Sequence, residues 1–281
     1  MELRVHKAIV FVDWLCENME NQNLVILNAT IKKIGNKDDF KEEEKQIKGA
    51  LFFDLKTIFS DQNSPLPNTM LPPDKFEEES QKLGISKDSC IIVYDDLGTY
   101  SSPRVWWMFK VMGFENVAVL NGGFPEWKSK GFPTEDKEII TAKTRGNFTV
   151  NFQNKKIIST KELLTVLSVK DSLIIDARSS SRFKGEEPEP RKEVRSGHIP
   201  SAINLPYGLL QEGGLMKSSR QLEILFEKVN KEKVKMMFSC GSGITACILA
   251  LGADIANYKN YGVYDGSWTE WGSNHKLPIE K

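Results

Sequence analysis

Residues 235–255, KMMFSCGSGITACILALGADI, carry the patterns of a buried strand, a tight turn and a helix in direct succession. Residues 235–239 form a short, largely apolar run, typical of strands that are buried on both faces of a parallel sheet. Gly241 and Gly243 follow, and over 244–257 apolar side chains recur at helical spacing. A strand that turns directly into a helix predicts an α/β fold.

The same order of motifs occurs twice in the chain, at an offset of about 145 to 150 residues. Such an offset predicts two copies of one α/β domain, each with a mostly parallel sheet flanked by helices. The matching pairs are LVILNA at 24–29 with LIIDAR at 173–178, IIVYD at 91–95 with MMFSC at 236–240, and VLNGGFPEW at 119–127 with VYDGSWTEW at 263–271.

Alternating strand and helix patterns place these domains along the chain. We predict strands over 24–28, 91–94, 117–120, 173–176, 235–239 and 262–264, and helices over 12–20, 74–83, 103–112, 160–168, 219–229 and 244–257. A polar stretch without clear periodicity separates the two copies. We therefore predict a first domain over 1–135, a linker over 136–156 and a second domain over 157–281.

Composition and charge exclude several classes of protein. Lys and Arg together number 38, as do Asp and Glu, so the charge balance gives no reason to expect a nucleic acid or membrane partner. No apolar run approaches the roughly 18 residues that a membrane helix needs. Four cysteines among 281 residues are too few for a disulfide scaffold and indicate a reducing, cytoplasmic location. The three histidines show no zinc-like spacing, and we expect neither a metal nor a cofactor.

Cys240 lies where the predicted strand ends and the helix starts, a position at which open α/β sheets bind their ligands. Glycines on each side of Ser242 allow the loop to curl, so that its N–H groups can face an anion. The helix N-terminus adds positive potential and favours the thiolate, the nucleophilic form of cysteine. A free cysteine is more often a small buried hydrophobe, which is our interpretation of Cys16, Cys90 and Cys247. Cys240 is instead the predicted nucleophile.

Two other cysteine-dependent chemistries fit the sequence less well. A phosphatase loop needs an arginine that clamps phosphate, at the position that Ala246 holds here. A cysteine protease needs an activating histidine, and His198 lies in a Gly-His-Ile-Pro turn that indicates a structural role.

Together with its neighbouring motifs, the cysteine loop resembles the rhodanese superfamily, and within it the 3-mercaptopyruvate sulfurtransferases. The resemblance covers nearly the whole chain as two tandem rhodanese-like domains. The motifs that carry it are YSSPRVWWM at 100–108, GEEPEPR at 185–191, GHIP at 197–200, CGSGITA at 240–246 and YDGSWTEW at 264–271.

The resemblance implies a sulfurtransferase that works without a cofactor. Cys240 would attack the sulfur of 3-mercaptopyruvate, release pyruvate and hold the transferred sulfur as a persulfide. A thiol acceptor such as thioredoxin or glutathione, or cyanide in the laboratory, would then remove that sulfur. Ser242 corresponds to the family's loop serine, which would relay a proton or donate a hydrogen bond.

The resemblance also assigns residues that would bind the substrate. The family's two substrate arginines correspond to Arg182 and Arg191, whose forked donors suit a carboxylate. Tyr100, in the first domain, is a further candidate contact. The uncharged loop suits a monoanionic keto acid better than the dianion thiosulfate. The predicted contacts within the loop are Gly241, Gly243, Ile244 and Thr245.

The chain departs from the family pattern in its first half. Animal members pair the loop serine with a His and an Asp, and the corresponding positions here hold Thr69 and Lys56. Neither side chain can play that role, although the nearby Asp54 could partly substitute. Asp95 stands where the second copy has Cys240, and aspartate cannot form a persulfide. We therefore predict a catalytically silent first domain that closes one wall of the site.

Two other functions are compatible with the sequence. A thiosulfate sulfurtransferase would use a similar loop. A persulfide carrier, which accepts sulfur from a partner desulfurase without turnover of its own, would account for the replacement of the family's His and Asp by Thr69 and Lys56.

Overall fold

The computed structural model describes residues 2–33, 43–137, 144–169 and 171–281. The chain forms two compact units. The first comprises Met1–Gln62, Met70–Gln153 and Gly213–Met216, and the second comprises Asn63–Thr69, Asn154–Glu212 and Lys217–Lys281. The segment Asn63–Thr69 therefore packs with the second half of the chain although it lies in the first. The domain boundaries at 135 and 157 stay a prediction, and residues 138–143 of the predicted linker lie outside the described residues.

The first half of the chain alternates strands and helices. The strands are β1 (Ile9–Val10), β2 (Leu24–Asn28), β3 (Lys45–Ile47), β4 (Leu51–Phe52), β5 (Cys90–Tyr94), β6 (Val117–Leu120) and β7 (Thr134–Asp136). The helices are α1 (Val12–Asn18), α2 (Pro73–Lys82), α3 (Ser102–Val111) and α4 (Gly123–Ser129). The main sheet is parallel, in the order β1-β6-β5-β2-β4, while β3 and β7 form a separate antiparallel pair.

The second half repeats this arrangement. Its strands are β8 (Ile157–Ile158), β9 (Ser172–Asp176), β10 (Ile203–Asn204), β11 (Gln211–Glu212), β12 (Leu215–Met216), β13 (Lys235–Ser239) and β14 (Tyr261–Tyr264). Its helices are α5 (Thr160–Val169), α6 (Ser180–Phe183), α7 (Ser219–Val229), α8 (Ala246–Ile255) and α9 (Ser267–Ser273). The main sheet of the second unit is parallel, in the order β10-β9-β13-β14-β8.

The two main sheets have the same strand order, which confirms the predicted repeat and the α/β fold. β5 and β13 occupy the middle of their sheets, and both are almost wholly buried because helices cover both faces. A parallel sheet brings the carboxyl ends of its strands to one edge, so the loops after β9, β13 and β14 meet there. None of the described helices is long and apolar enough to cross a membrane.

Candidate active site

The loop between β13 and α8 contains Cys240, whose residue surface is 1% exposed. Helix α8 begins at Ala246 instead of the predicted residue 244, so the loop is longer than the apolar pattern indicated. Gly243 has a φ of 79°, a left-handed conformation that strongly favours glycine. A Cβ atom at Gly241 would lie 3.0 Å from Nη2 of Arg182, so a larger residue there would require that side chain to shift by a few tenths of an ångström.

The start of α9 holds the loop from the other side. The Trp268 N–H donates to the carbonyl oxygen of Cys240 at 2.9 Å. Thr269 donates to the carbonyl oxygen of Gly241 through its N–H at 2.9 Å and through its hydroxyl at 2.6 Å. These bonds fix the position of the cysteine independently of its thiol.

Ser267 contacts Cys240 most directly, and the sequence reasoning did not identify it. Its hydroxyl donates to the Tyr264 carbonyl at 2.8 Å, accepts the Cys240 N–H at 3.1 Å, and lies 3.7 Å from the cysteine Sγ. Alignment of the two copies of the repeat could have identified Ser267, because the first copy has Gly123 at the matching position. Ser267 and Gly123 both have positive φ, at 50° and 54°, a conformation that favours glycine. A serine at this position therefore indicates that its side chain is needed there.

Several N–H groups of the cysteine loop are left for a ligand. Within the described part of the chain, those of Gly241, Ser242, Ile244 and Thr245 donate to no other residue. Buried or half-buried N–H groups ahead of a helix form an anion-binding site when they are not used internally.

The matching loop of the first unit shows such N–H groups in use. Oδ2 of Asp95 accepts the N–H groups of Tyr100, Ser101 and Ser102 at 2.9, 3.0 and 2.9 Å, and the Ser102 hydroxyl at 2.6 Å. Oδ1 accepts the Leu97 N–H at 3.0 Å. The first loop therefore holds an anion that belongs to the chain itself.

A cluster of charged side chains lies beside the cysteine loop, and we call it the arginine cluster: Asp176, Arg178, Arg182, Glu189 and Arg191. Arg178 is buried and forms paired hydrogen bonds to Asp176, at 3.0 and 2.7 Å, and one to Glu189 at 2.8 Å. Arg182 binds both oxygens of Glu189, at 3.2 and 2.5 Å. Arg191 donates to the Thr269 hydroxyl at 3.3 Å, which connects it to the loop.

The arginine cluster has an excess of positive charge. Among its described members, three guanidinium groups face two carboxylates. Burial opposes the charge of Arg178, but Asp176 and Glu189 raise the pKa of its guanidinium above the ordinary value. Burial and then the charge of Arg182 lower the pKa of Arg191, while the charges of Glu189 and Cys240 oppose that shift. Arginine nevertheless stays protonated, so the cluster can accept one further anion.

Ser242 has a partner that the resemblance did not predict. Asn68 is 6% exposed, and its Nδ2 donates to the Ser242 carbonyl at 3.0 Å and to the Ser242 Oγ at 3.1 Å. Thr69, which stands at the position of the family's His, donates instead to the Leu66 carbonyl at 3.1 Å. The side chain at the position of the family's His does not contact Ser242 in this way, and Asn68 is instead the hydrogen-bond partner of Ser242 from the first half of the sequence.

The other residues singled out from the sequence have local contacts. Asp54 accepts the N–H of Lys56 at 3.0 Å and so closes its own turn. Tyr100 is buried below the ammonium group of Lys33, which lies 5.4 Å from its ring centre; its role as a substrate contact stays a prediction. The His198 ring stacks on the Phe183 ring, with ring centres 3.8 Å apart, and its Nδ1 forms a hydrogen bond with the Phe183 carbonyl oxygen at 2.8 Å. Both contacts agree with a structural role.

The remaining cysteines lie among apolar side chains. Cys90 and Cys247 are buried, and burial raises the pKa of the Cys90 thiol to about 11. Each of the four cysteines, all within the described ranges, is a free thiol. In the same ranges no group of three or more His, Cys, Asp or Glu side chains is placed to hold a metal ion.

Comparisons with known proteins place this site in a family. The family model for the rhodanese-like domain matches residues 11–130 and again residues 159–274. The chain belongs to the rhodanese family. Both copies of the repeat are therefore rhodanese-like domains, and only the second carries cysteine at the end of its central strand.

Individual rhodanese relatives match along nearly the whole chain. The 3-mercaptopyruvate sulfurtransferase of Escherichia coli (strain K12) is 34% identical, over 96% of this chain and 97% of the relative. The thiosulfate sulfurtransferase of Bos taurus is 35% identical, over 98% and 95% respectively. The crystal structure of SseA from Escherichia coli, a 3-mercaptopyruvate sulfotransferase, has a TM-score of 0.83 at 32% identity and covers 93% of this chain and 99% of that one.

Proposed function

We propose that this rhodanese is a 3-mercaptopyruvate sulfurtransferase with Cys240 as its nucleophile. The contrast between the two loops carries the proposal. In the first loop, the side chain of Asp95 accepts the hydrogen bonds of the loop N–H groups. In the second loop, a cysteine stands at the same position and the described residues leave several N–H groups for a ligand.

The reaction would balance within the protein and its substrate. The Cys240 thiolate attacks the sulfur of 3-mercaptopyruvate, and an S–S bond forms as the C–S bond breaks. The electron pair of the C–S bond passes to the pyruvate enolate, whose carbon receives the proton that the substrate thiol gives up. The loop N–H groups stabilise the persulfide anion that remains on Cys240. A thiol acceptor then takes the outer sulfur and regenerates the thiolate.

The choice of sulfur donor rests on charge. Sequence identity does not separate the donors, because relatives named for either one are about equally similar. The arginine cluster has one unbalanced positive charge, which matches the single carboxylate of 3-mercaptopyruvate better than dianionic thiosulfate. Residues 241–245 of the loop are all uncharged, so the loop itself adds no cation that would serve a dianion.

A donor comparison tests this function. Purified protein is incubated with 3-mercaptopyruvate alone, and intact-mass and peptide mass spectrometry then locate the added sulfur. We expect it on Cys240, together with a kcat/KM at least about tenfold higher for 3-mercaptopyruvate than for thiosulfate. A clear preference for thiosulfate would identify the other donor. Labelling that requires a partner desulfurase would identify a carrier.

Arg191→Leu is expected to weaken binding of 3-mercaptopyruvate. A charge-assisted hydrogen bond to a carboxylate contributes about 1.5–3 kcal/mol, so KM should rise about ten- to hundredfold with a smaller change in kcat. Steady-state kinetics of pyruvate release give both constants. Lys192→Leu removes a neighbouring positive charge on an exposed side chain and should change KM by no more than about twofold. Equal effects of the two variants would contradict a specific role for Arg191.

The proposal also covers the sulfur acceptor and the cellular location of the protein. A small or protein thiol, such as glutathione or thioredoxin, is the proposed acceptor, because a thiolate attacks the outer sulfur of a persulfide by the same exchange chemistry. Free thiols at every cysteine support action in a reducing compartment, for which we propose the cytoplasm.

A further inference from the structure

The backbone conformation and the burial of Asn68 fix the position of its side chain. Its φ of 60° is left-handed, a conformation that asparagine tolerates better than most side chains. The segment Asn63–Thr69 belongs to the second unit, where Asn68 is buried against Ser242. Its amide thus reaches the cysteine loop from a distant part of the sequence.

The partners of this amide fix which of its atoms faces Ser242. A backbone carbonyl only accepts, so the group that lies 3.0 Å from the Ser242 carbonyl oxygen is the amide nitrogen. The same Nδ2 lies 3.1 Å from the Ser242 Oγ. An amide nitrogen has no lone pair that can accept a proton, so Ser242 Oγ is the acceptor in this bond. Within the described residues, Asn68 is the one hydrogen-bond partner of that hydroxyl.

We infer that Asn68 is a positioning residue that makes Ser242 a one-way hydrogen-bond donor to the substrate. This inference rests on the proposed function. With its oxygen held as an acceptor by Asn68, the Ser242 hydroxyl directs its proton elsewhere. The keto oxygen of 3-mercaptopyruvate gains negative charge as the C–S bond breaks, and it is the acceptor that we assign to that proton. Ser242 would donate a hydrogen bond throughout and keep its proton.

This assignment differs from the relay that the resemblance implies. A histidine beside the serine could accept the hydroxyl proton, so the serine could pass a proton through it. Asn68 cannot accept a proton through the atom that it presents. Neither Thr69, at the position of the family's His, nor Asp54, near the position of its Asp, restores a relay, since the Thr69 hydroxyl donates to Leu66 and Asp54 closes its own turn.

Asn68→Asp reverses the direction of the hydrogen bond with almost no change in shape. A charged carboxylate would accept the Ser242 proton and withdraw it from the substrate, so at about pH 8 we expect kcat to fall about ten- to hundredfold. Burial and the facing Ser242 carbonyl oxygen should raise the pKa of an aspartate here above its ordinary value of about 4, so as the pH falls towards about 5 more of the carboxyl is protonated and can donate again, and activity relative to wild type should rise. A merely structural role, through the bond to the Ser242 carbonyl, would produce the same gain without the Ser242 hydroxyl, so the effect is also measured in a Ser242→Ala background.

Two further variants distinguish a reversed hydrogen bond between residue 68 and Ser242 from the simple loss of that bond. Asn68→Gly accepts the left-handed backbone and removes the amide, so its loss of kcat should not change with pH relative to wild type. In a Ser242→Ala background, Asn68→Asp should lose its pH-dependent effect. Thr69→Val is the control, because it removes a neighbouring hydroxyl that does not contact Ser242, and it should stay within about twofold of wild type.

Pyruvate release is measured for each full-length variant across this pH range, with thermal unfolding as a check of folding. Parallel pH profiles for Asn68→Asp and wild type, or the same pH-dependent effect without the Ser242 hydroxyl, would overturn the inference. If Asn68→Asp does not fold, a pH-dependent loss in Asn68→Gly relative to wild type would overturn it. Failure of the proposed function is distinguishable, since wild-type protein would then show no Cys240-dependent pyruvate release.

Discussion

Cys240→Ser is expected to reduce pyruvate release from 3-mercaptopyruvate by about a thousandfold or more. A serine hydroxyl is not ionised near neutral pH and cannot form a persulfide. The fold should persist because the hydrogen bonds that hold residue 240 involve its backbone: its N–H donates to Ser267 and its carbonyl accepts from Trp268. Steady-state kinetics and circular dichroism of the purified variant measure the two outcomes.

Cys247→Ser is the matched control for this substitution. Cys247 is also buried, and its thiol contacts the Gly243 carbonyl at 3.4 Å. A serine there can donate to the same carbonyl, so activity should stay within about threefold of wild type. Sulfur loading should persist in Cys247→Ser and disappear in Cys240→Ser. Retention of full activity in Cys240→Ser would show that the nucleophile lies elsewhere.

Arg178→Leu is expected to lower the free energy of unfolding by about 3–5 kcal/mol, because it leaves the buried Asp176 without its cation and Glu189 with Arg182 alone. Arg178 binds Asp176 and Glu189, and its guanidinium also lies 4.7 Å from the Trp268 ring centre. The loss therefore combines electrostatic and packing contributions. Urea denaturation followed by circular dichroism measures it.

Arg182→Leu provides the comparison for stability. The Arg182 side chain is 23% exposed, and Glu189 keeps Arg178 when Arg182 is removed. We expect a loss of only about 1 kcal/mol in unfolding free energy, together with weaker binding of 3-mercaptopyruvate. Equal losses of stability in the two variants would show that Arg178 is not the main counter-ion of the buried carboxylates.

The sequence was sufficient for the central elements of the fold. β2, β5, β9 and β13 are continuous apolar runs, so their burial on both faces could be predicted. The edge strands are different, because β1, β4, β8 and β10 have only two residues each and show no periodicity. α4 and α9 were also missed, since seven residues that include glycine or proline are too few to establish a helical pattern.

The candidate site was predictable only where it is local in sequence. The glycines around Ser242 indicated the loop, and Cys240 followed from its place between strand and helix. Ser267, Thr269 and Asn68 come from other segments, and their contacts exist only once the strands are aligned. Asn68 shows the limit most clearly, because the left-handed turn directs its side chain toward Ser242 while that of its neighbour, Thr69, contacts Leu66.

Asp95 has a consequence for the chemical state of the second loop. A carboxylate oxygen of aspartate is separated from Cβ by one atom, and so is the outer sulfur of a cysteine persulfide. Asp95 is therefore a permanent isostere of the sulfur-loaded cysteine, with Oδ2 in the place of the outer sulfur. Its N–H donors directly precede and begin α3, so we infer that the N–H groups of Ile244, Thr245 and Ala246 surround the transferred sulfur. The first unit therefore shows, in a permanent form, the arrangement of N–H groups that we expect around a sulfur-loaded Cys240.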